Sequence, residues 1–351
     1  MGGGAVACSG SGAATAGVAA FAHDSQTSLG WPAGTRPNRL TSGGCRVTIA
    51  LEKRGGAAFF AWLAAGVAAV LCAAGPALGG GDPERGRTVF ALAAGCGCHT
   101  AKDGAVGAGG GEVPTPFGKF YGTNITPDPE TGIGRWSDEE IVAAIREGIA
   151  RGKGVESPAM PYYWYSGMSD ADVRDLVAYL RTLPAVRQPN RPHEGEVPFA
   201  RLAYRLWRWL WAPRFQPPKG RPLDLVERGR YWVDHVALCA DCHTPRNWVG
   251  AIRFDLYLAG TEHGPGGEKV PNITPHETGI GDWTEDDIVN LLRTGFTPEY
   301  DNVQGWMAEV VEGKGGGPGY RDAPEEELRA IARYLRQVRP IAHSVDSEGE
   351  Q

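Results

Sequence analysis

Two short clusters of thiols and imidazoles stand out in the 351-residue chain: Cys96-Gly97-Cys98-His99 and Cys239-Ala240-Asp241-Cys242-His243. In the second, the thiols stand three residues apart and an imidazole follows at once. Residues at i and i+3 lie on one side of a helical turn. Both thiols can therefore bond the two vinyl groups of one porphyrin while the imidazole binds its iron, which is the c-type haem attachment pattern. The first cluster is one residue shorter. Residues at i and i+2 point roughly 200° apart around an α-helix. A locally distorted turn is required there, with Cys98 making a thioether, His99 binding iron, and Cys96 bonded or free.

Iron held by His on one side commonly takes Met on the other. Beyond Met1 the methionines are Met160, Met168 and Met307. Met160 follows Trp136, and Met307 follows Trp283, by equal intervals, whereas Met168 has no such counterpart. An arbitrary Met is a core gap-filler, but the paired spacing makes Met160 and Met307 the candidate sixth ligands. His276 competes for the second iron, yet its counterpart in the other half is Asp128. His235 and His263 also lack duplicated equivalents and read as ordinary surface or helix histidines. Trp136 and Trp283 are either donors to haem propionates or buried aromatics. A zinc site built from the four cysteines would join pairs far apart in sequence and leave the histidines and methionines unexplained.

These residues ride on an internal repeat. "ERGRTVFALAAGCGCHT" from Glu84 matches "ERGRYWVDHVALCADCHT" from Glu227, and "NITPDPETGIGRWSDEEI" from Asn124 matches "NITPHETGIGDWTEDDI" from Asn272. Each half closes on a helical pattern, from Met168 and from Ala323. Such duplication implies two copies of one small domain. Helices over Asp82–Ala93 and Leu223–Val236 are expected to lead into the attachment turns. Ser137 with Glu140, and Thr284 with Asp287, form capping-box pairs that start middle helices. Ser169 with Asp172 begins the first closing helix, whose inward face is Val173, Leu176, Val177 and Leu180. Leu328, Ile331, Tyr334 and Leu335 do the same in the second. The expectation is an all-α fold in which the prosthetic group supplies much of each small core.

The stretch "CHTPRNWVGAIRFDLYLAGTEHGPGGEKVPNITPHETGIGDW", with "GFTPEYDNVQGWMAEVV", resembles tandem dihaem c-type cytochromes. "TPFGKFYGTNITPDPETGIGRW" and "PAMPYYWYSGMSDADV" look like the same family. It is similar to the cytochrome subunits of membrane-bound bacterial alcohol, aldehyde and gluconate dehydrogenases. The resemblance covers residues 82–186 and 223–341. It implies two cytochrome c domains, 82–188 and 223–341, with two covalent haem c groups per chain. It also implies the roles read from spacing for Cys96, Cys98, His99 and Met160, and for Cys239, Cys242, His243 and Met307. The implied activity is electron transfer in the periplasm, from a dehydrogenase toward a respiratory oxidase or another cytochrome, with no catalytic residue of the chain's own. Two departures stand out: the shortened first motif, and no third haem site of the kind many such subunits carry. A dihaem enzyme such as a peroxidase would need an open iron position, which paired methionines oppose. A monohaem carrier would have lost the first haem, which the retained framework opposes.

A formal charge of −6 and a pI near 5.8 give no basic surface for nucleic acid. Residues 1–54 are low-complexity and expected to be disordered, or an over-extended start, because no Met occurs between Met1 and Met160. Residues 55–79 follow Lys53-Arg54 with the apolar run 57–74 and then "GPALGGG". This reads as a secretory signal peptide cleaved after Ala77 or Gly79, or as a membrane anchor through 57–74. Either predicts export to the periplasm or its membrane face. Cys8, Cys45 and Cys72 fall in this front end, so the exported body keeps only the motif cysteines, with none for structural disulfides. In the connector, 189–222, Arg201, Arg205 and Arg208 share one helical face and Leu202, Leu206, Trp209 and Leu210 another. The helix is expected to pack between the domains, in preference to lying on a membrane or docking a partner. Residues 342–351 form a polar tail.

Overall fold

The computed structural model describes residues 80–115, 118–195 and 199–345. The front-end readings for 1–54 and 55–79, and most of the polar tail, lie outside the described residues. What is described falls within one compact unit, 72–351. Its helices are α1 (Pro83–Leu92), α2 (Asp138–Glu147), α3 (Tyr162–Tyr165), α4 (Asp170–Thr182), α5 (Ala200–Leu210), α6 (Leu225–His235), α7 (Cys239–His243), α8 (Glu285–Thr294), α9 (Gly305–Glu312) and α10 (Glu325–Leu335).

The same local chemistry starts corresponding helices in the two halves. Asp82 caps α1 by accepting from the Glu84 N–H, and Asp224 caps α6 by accepting from Val226 and Glu227. Full capping boxes open α2 (Ser137, Glu140) and α8 (Thr284, Asp287), and both helices stop at a left-handed glycine, Gly148 and Gly295. The Ser169 hydroxyl accepts from the Asp172 N–H to start α4.

α1 crosses α4, and α6 crosses α10, each through a glycine. A Cβ on Gly86 would lie 1.9 Å from the Asp175 carbonyl oxygen, and one on Gly229 would lie 1.9 Å from that of Ala330. Only a hydrogen at those positions lets the backbones approach so closely. Around the crossings the apolar faces interlock: Val89, Phe90, Leu176 and Leu180 in one half, Trp232, Val233, Leu328 and Ile331 in the other, all in one continuous core.

The all-α expectation is corrected by two small antiparallel ladders. β1 (Glu112–Thr115) pairs with β2 (Gly118–Tyr121), Glu112 opposite Tyr121, and β3 (Ile149–Ala150) pairs with β4 (Gly154–Val155). Both sit in long loops whose backbone groups have no helix to satisfy them. Neither could be read from hydrophobic alternation, being too short.

The halves are tied together by polar groups as well as by the core. Arg221, from the connector, reaches Asp172 at 2.7 Å and Glu327 at 3.3 Å. Those two buried acids occupy matching positions on α4 and α10. Tyr231 donates to Asp172 at 2.6 Å and accepts from the Ser169 N–H, while the Trp232 indole donates to Glu327 at 2.7 Å.

The connector helix touches both halves, as expected. α5 docks through Ala200, through Trp207, whose indole donates to the Val249 carbonyl at 2.9 Å, and through Arg201, which donates to the carbonyls of Lys153 and Val155. Its apolar residues Leu202, Leu206, Trp209 and Leu210 face outward. Ala200, Tyr204 and Trp207 face the protein, and Arg201 adds its contacts from the edge of that face. No helix among the described residues is long and apolar enough to cross a membrane.

Candidate functional site

The two attachment turns are built differently, as their lengths require. In the second half, Leu238 takes a left-handed conformation (φ 58°) and Cys239–His243 then form one regular helical turn. In the first half the turn over Ala94–His99 is 3-10 in type, and Ala94, Gly95 and Cys96 are all left-handed (φ 53°, 59° and 47°). The missing residue is thus absorbed by a run of reversed backbone, the distortion the i, i+2 spacing demanded. Gly95 suits this on two counts: its φ is positive, and a Cβ would meet the Pro318 carbonyl oxygen at 2.6 Å.

After these different turns the imidazoles end alike. His99 Nδ1 lies 2.8 Å from the Thr123 carbonyl oxygen, and His243 Nδ1 lies 2.8 Å from that of Pro271. A carbonyl can only accept, so each Nδ1 carries the proton and each Nε2 keeps its lone pair for a metal. Thr123 and Pro271 immediately precede Asn124 and Asn272 of the repeated "NITP". Each of those asparagines folds its own loop: its side-chain oxygen accepts from the N–H and hydroxyl of the threonine two residues on (Thr126, Thr274). Its amide group donates to the carbonyl after the closing helix (Val186, Ile341). Burial lowers the His99 pKa and pushes His243 down to about 4, so both rings are neutral near pH 7.

The four thiols also share an environment. Burial raises Cys96 and Cys239 to about 12 and Cys98 to about 11, and raises Cys242 as well. Yet all four keep intermediate accessibility and none is in a disulfide. Side chains surrounded by protein but still reachable line a cleft, not the outer surface.

Of the methionines, Met168 is fully buried in the core, whereas Met160 and Met307 retain accessible surface. Met160 lies just before α3, and Met307 lies on α9 against the core. His276 does the work of its counterpart: its ring engages Thr278, as the Asp128 carboxylate engages Thr131. Both hold the same loop shut, so His276 is a turn residue. His263 is exposed. His235 is a helix residue, the last of α6, and is half-buried, 3.0 Å from the Trp164 carbonyl across the join between halves. Trp136 and Trp283 are half-buried against the core.

Several neighbours of the turns escaped sequence reasoning. Asp241, inside the second motif, accepts from the Trp164 indole at 2.8 Å and the Tyr163 hydroxyl at 3.0 Å and pairs with Arg246. Lys314, paired with Glu309 at 2.9 Å, packs beside Gly97. Tyr165 and Tyr320 occupy matching places, buried beside the cysteines, and Tyr320 donates to the Ala237 carbonyl. The repeat held a signal for this last pair, masked by unequal spacing from the methionines.

The donor set fits a haem. Two neutral imidazoles present Nε2, thiols open into a cleft, and thioether sulfurs remain accessible. In addition, Tyr162, two residues past Met160, buries a hydroxyl that finds no partner among the described residues. Among those residues no cluster of three His, Cys, Asp or Glu forms.

Comparison with known proteins agrees. The Cytochrome c family model matches residues 83–184, which include the shortened motif and Met160. A dihaem c-type cytochrome of Cereibacter sphaeroides is 37% identical over 268 residues, covering 74% of this chain and 87% of that protein. The chain belongs to the dihaem c-type cytochrome family. It is also 38% identical to the fructose dehydrogenase cytochrome subunit of Gluconobacter japonicus, over 73% of this chain and 52% of that one. The gluconate 2-dehydrogenase cytochrome c subunit of Pantoea cypripedii is 35% identical, over 69% of this chain and 56% of its own length. Family membership carries covalently bound haem c and electron transfer with it.

Proposed function

We propose that this chain is an exported dihaem electron carrier. It takes electrons from a periplasmic dehydrogenase and passes them toward a respiratory oxidase or another cytochrome. The observation that carries the reading is the duplicated ligand set. In both halves an imidazole locked through Nδ1 stands beside two thiols, and an accessible methionine follows the half's tryptophan (Trp136, Trp283) at the same interval. Bound haem c supplies a reversible one-electron iron couple.

His99 and Met160 would hold the first iron, and His243 and Met307 the second. Cys239 and Cys242 would tether the second porphyrin, and Cys98 the first, with Cys96 as a second or unreacted thiol. The Thr123 and Pro271 carbonyls fix each ring's tautomer and raise its basicity. A methionine ligand in each half would leave no iron position for substrate, which favours carriage over peroxidase chemistry. Names of relatives that are dehydrogenase subunits support the donor class. The domains run over 82–188 and 223–341, on the periplasmic side of a bacterial membrane.

A pyridine haemochrome assay per mole of full chain, with mass spectrometry of haem peptides, tests this. Two haems are expected, and the spectrum of an unreacted vinyl group on one of them would indicate a single bond through Cys98. One haem per chain would refute the dihaem reading. Rapid peroxide turnover with a reduced donor would replace the carrier with an enzyme.

A further inference from the structure

We infer that the outward face of α5 is a membrane-surface docking site that seats the protein on an anionic lipid leaflet. The helix is amphipathic the wrong way round for a soluble protein. At 100° per residue, Ala200, Tyr204 and Trp207 turn toward the body, and Leu202, Leu206, Trp209 and Leu210 lie opposite within an arc of about 100°. Those four are 65%, 52%, 69% and 46% exposed, and Phe199, just before the helix, is 84% exposed. An exposed apolar helix face of this kind marks an interaction site.

The occupant follows from charge and residue type. From residue 197 to 223 the chain holds Arg201, Arg205, Arg208, Arg214, Lys219 and Arg221 and no acidic residue, in a protein of net charge −6. Arg221 is neutralised by Asp172 and Glu327. Arg201 meets neutral carbonyls and Arg208 lies over the Tyr162 ring, contacts that leave their charge intact. Cations along the edge of a Leu/Trp/Phe face are the composition of a helix lying in the headgroup region, with indoles at the boundary and guanidiniums on phosphates. The uncharged apolar run 57–74 precedes the described residues. A chain held to a bilayer by that segment would meet this face at high local concentration.

Hydrogen–deuterium exchange on the full haem-loaded chain, with and without phosphatidylcholine–phosphatidylglycerol vesicles, reads the face directly. It is local, so binding through residues 57–74 does not mimic it. Exchange of 199–211 is expected to slow at least about tenfold on the mixed vesicles, less on phosphatidylcholine alone, and less again in high salt. The pair Leu206→Glu with Trp209→Glu should abolish the protection, with the haem absorption spectrum unchanged as the check on folding. Protection that survives the double substitution would overturn the inference. So would an unprotected face on vesicles that becomes protected on adding a dehydrogenase, or through self-association without lipid, since the surface would then fit protein.

Discussion

Adjacent residues on α6 should pull stability in opposite directions with pH, and removing one should expose the other. Asp234 is 7% accessible, accepts from the Tyr257 hydroxyl, and is raised by burial from 3.8 to about 6. Tyr334 contacts Tyr257, and Arg230 pairs with Asp234 but is 60% exposed, so it compensates little. Between pH 3.8 and 6 the unfolded chain has released a proton that the folded chain still holds. Stability therefore falls as pH rises through this window, by about 3 kcal/mol, and is level above it. His235 is lowered by burial from 6.5 to about 4. Between those values the unfolded chain binds a proton that the folded chain refuses, so stability rises with pH, by about 3 kcal/mol before discounting for its partial exposure. In the native protein the two slopes largely cancel between pH 4 and 6. Asp234→Asn keeps an acceptor for Tyr257 but cannot ionise. Its urea-unfolding stability, followed by circular dichroism, should match the native protein near pH 4 and exceed it by up to about 3 kcal/mol at pH 7. Parallel profiles for the two proteins would refute the reasoning. His235→Gln should show the mirror image, losing stability from pH 4 to 6.

Other consequences are open to simpler measurements. Ala94 holds a left-handed conformation that disfavours a side chain, so Ala94→Gly should stabilise by about 1 kcal/mol in chemical denaturation. Gly86→Ala and Gly229→Ala each drive a methyl into a backbone carbonyl and should cost about 3 kcal/mol or more, whereas Gly220→Ala, with nothing within 4 Å, should leave the melting temperature unchanged. Arg221→Met strands Asp172 and Glu327, each 3% exposed at the side chain. It should destabilise by about 3 kcal/mol at pH 7, with much of the loss recovered when Asp172→Asn and Glu327→Gln are added.

How far the sequence could be read depended on whether a feature was local. Caps such as Ser137–Glu140 and Thr284–Asp287 act within a few residues, so their positions were legible before any fold was known. Motif cysteines and histidines were legible because covalent attachment ties residue type to spacing. The acceptor to which each imidazole commits was not, because Thr123 and Pro271 lie in a loop whose return path depends on Asn124 and Asn272 bonding across to the end of the closing helix. That His235 lies on a helix was legible but its burial was not, because the Trp164 carbonyl that accepts from it lies in the other half. Which face of α5 meets the protein was not legible either: periodicity shows that two faces differ, but the docking side is decided by partners elsewhere, here the Val249 carbonyl that accepts from Trp207.

The shortened first motif gains a structural explanation only when both halves are considered together. Met160 is followed closely by Tyr165, but Met307 is separated from the matching Tyr320 by the glycine-rich loop Gly313–Gly319. Taken separately, one half has lost a residue between its cysteines and the other has acquired a loop after its methionine. In space these coincide: Pro318 presses on Gly95, Lys314 lies against Gly97, and Gly315 meets Thr100. A full-length turn at Cys96–Cys98 would occupy the ground that loop takes. The second turn has the converse arrangement, for its regular helix receives Tyr163 and Trp164 of the first half on Asp241. Each attachment turn is thus packed by the segment that follows the other half's methionine. The deletion belongs to that interface, where a left-handed backbone and a glycine on either side of Cys96 replace the missing residue without displacing His99 from its carbonyl.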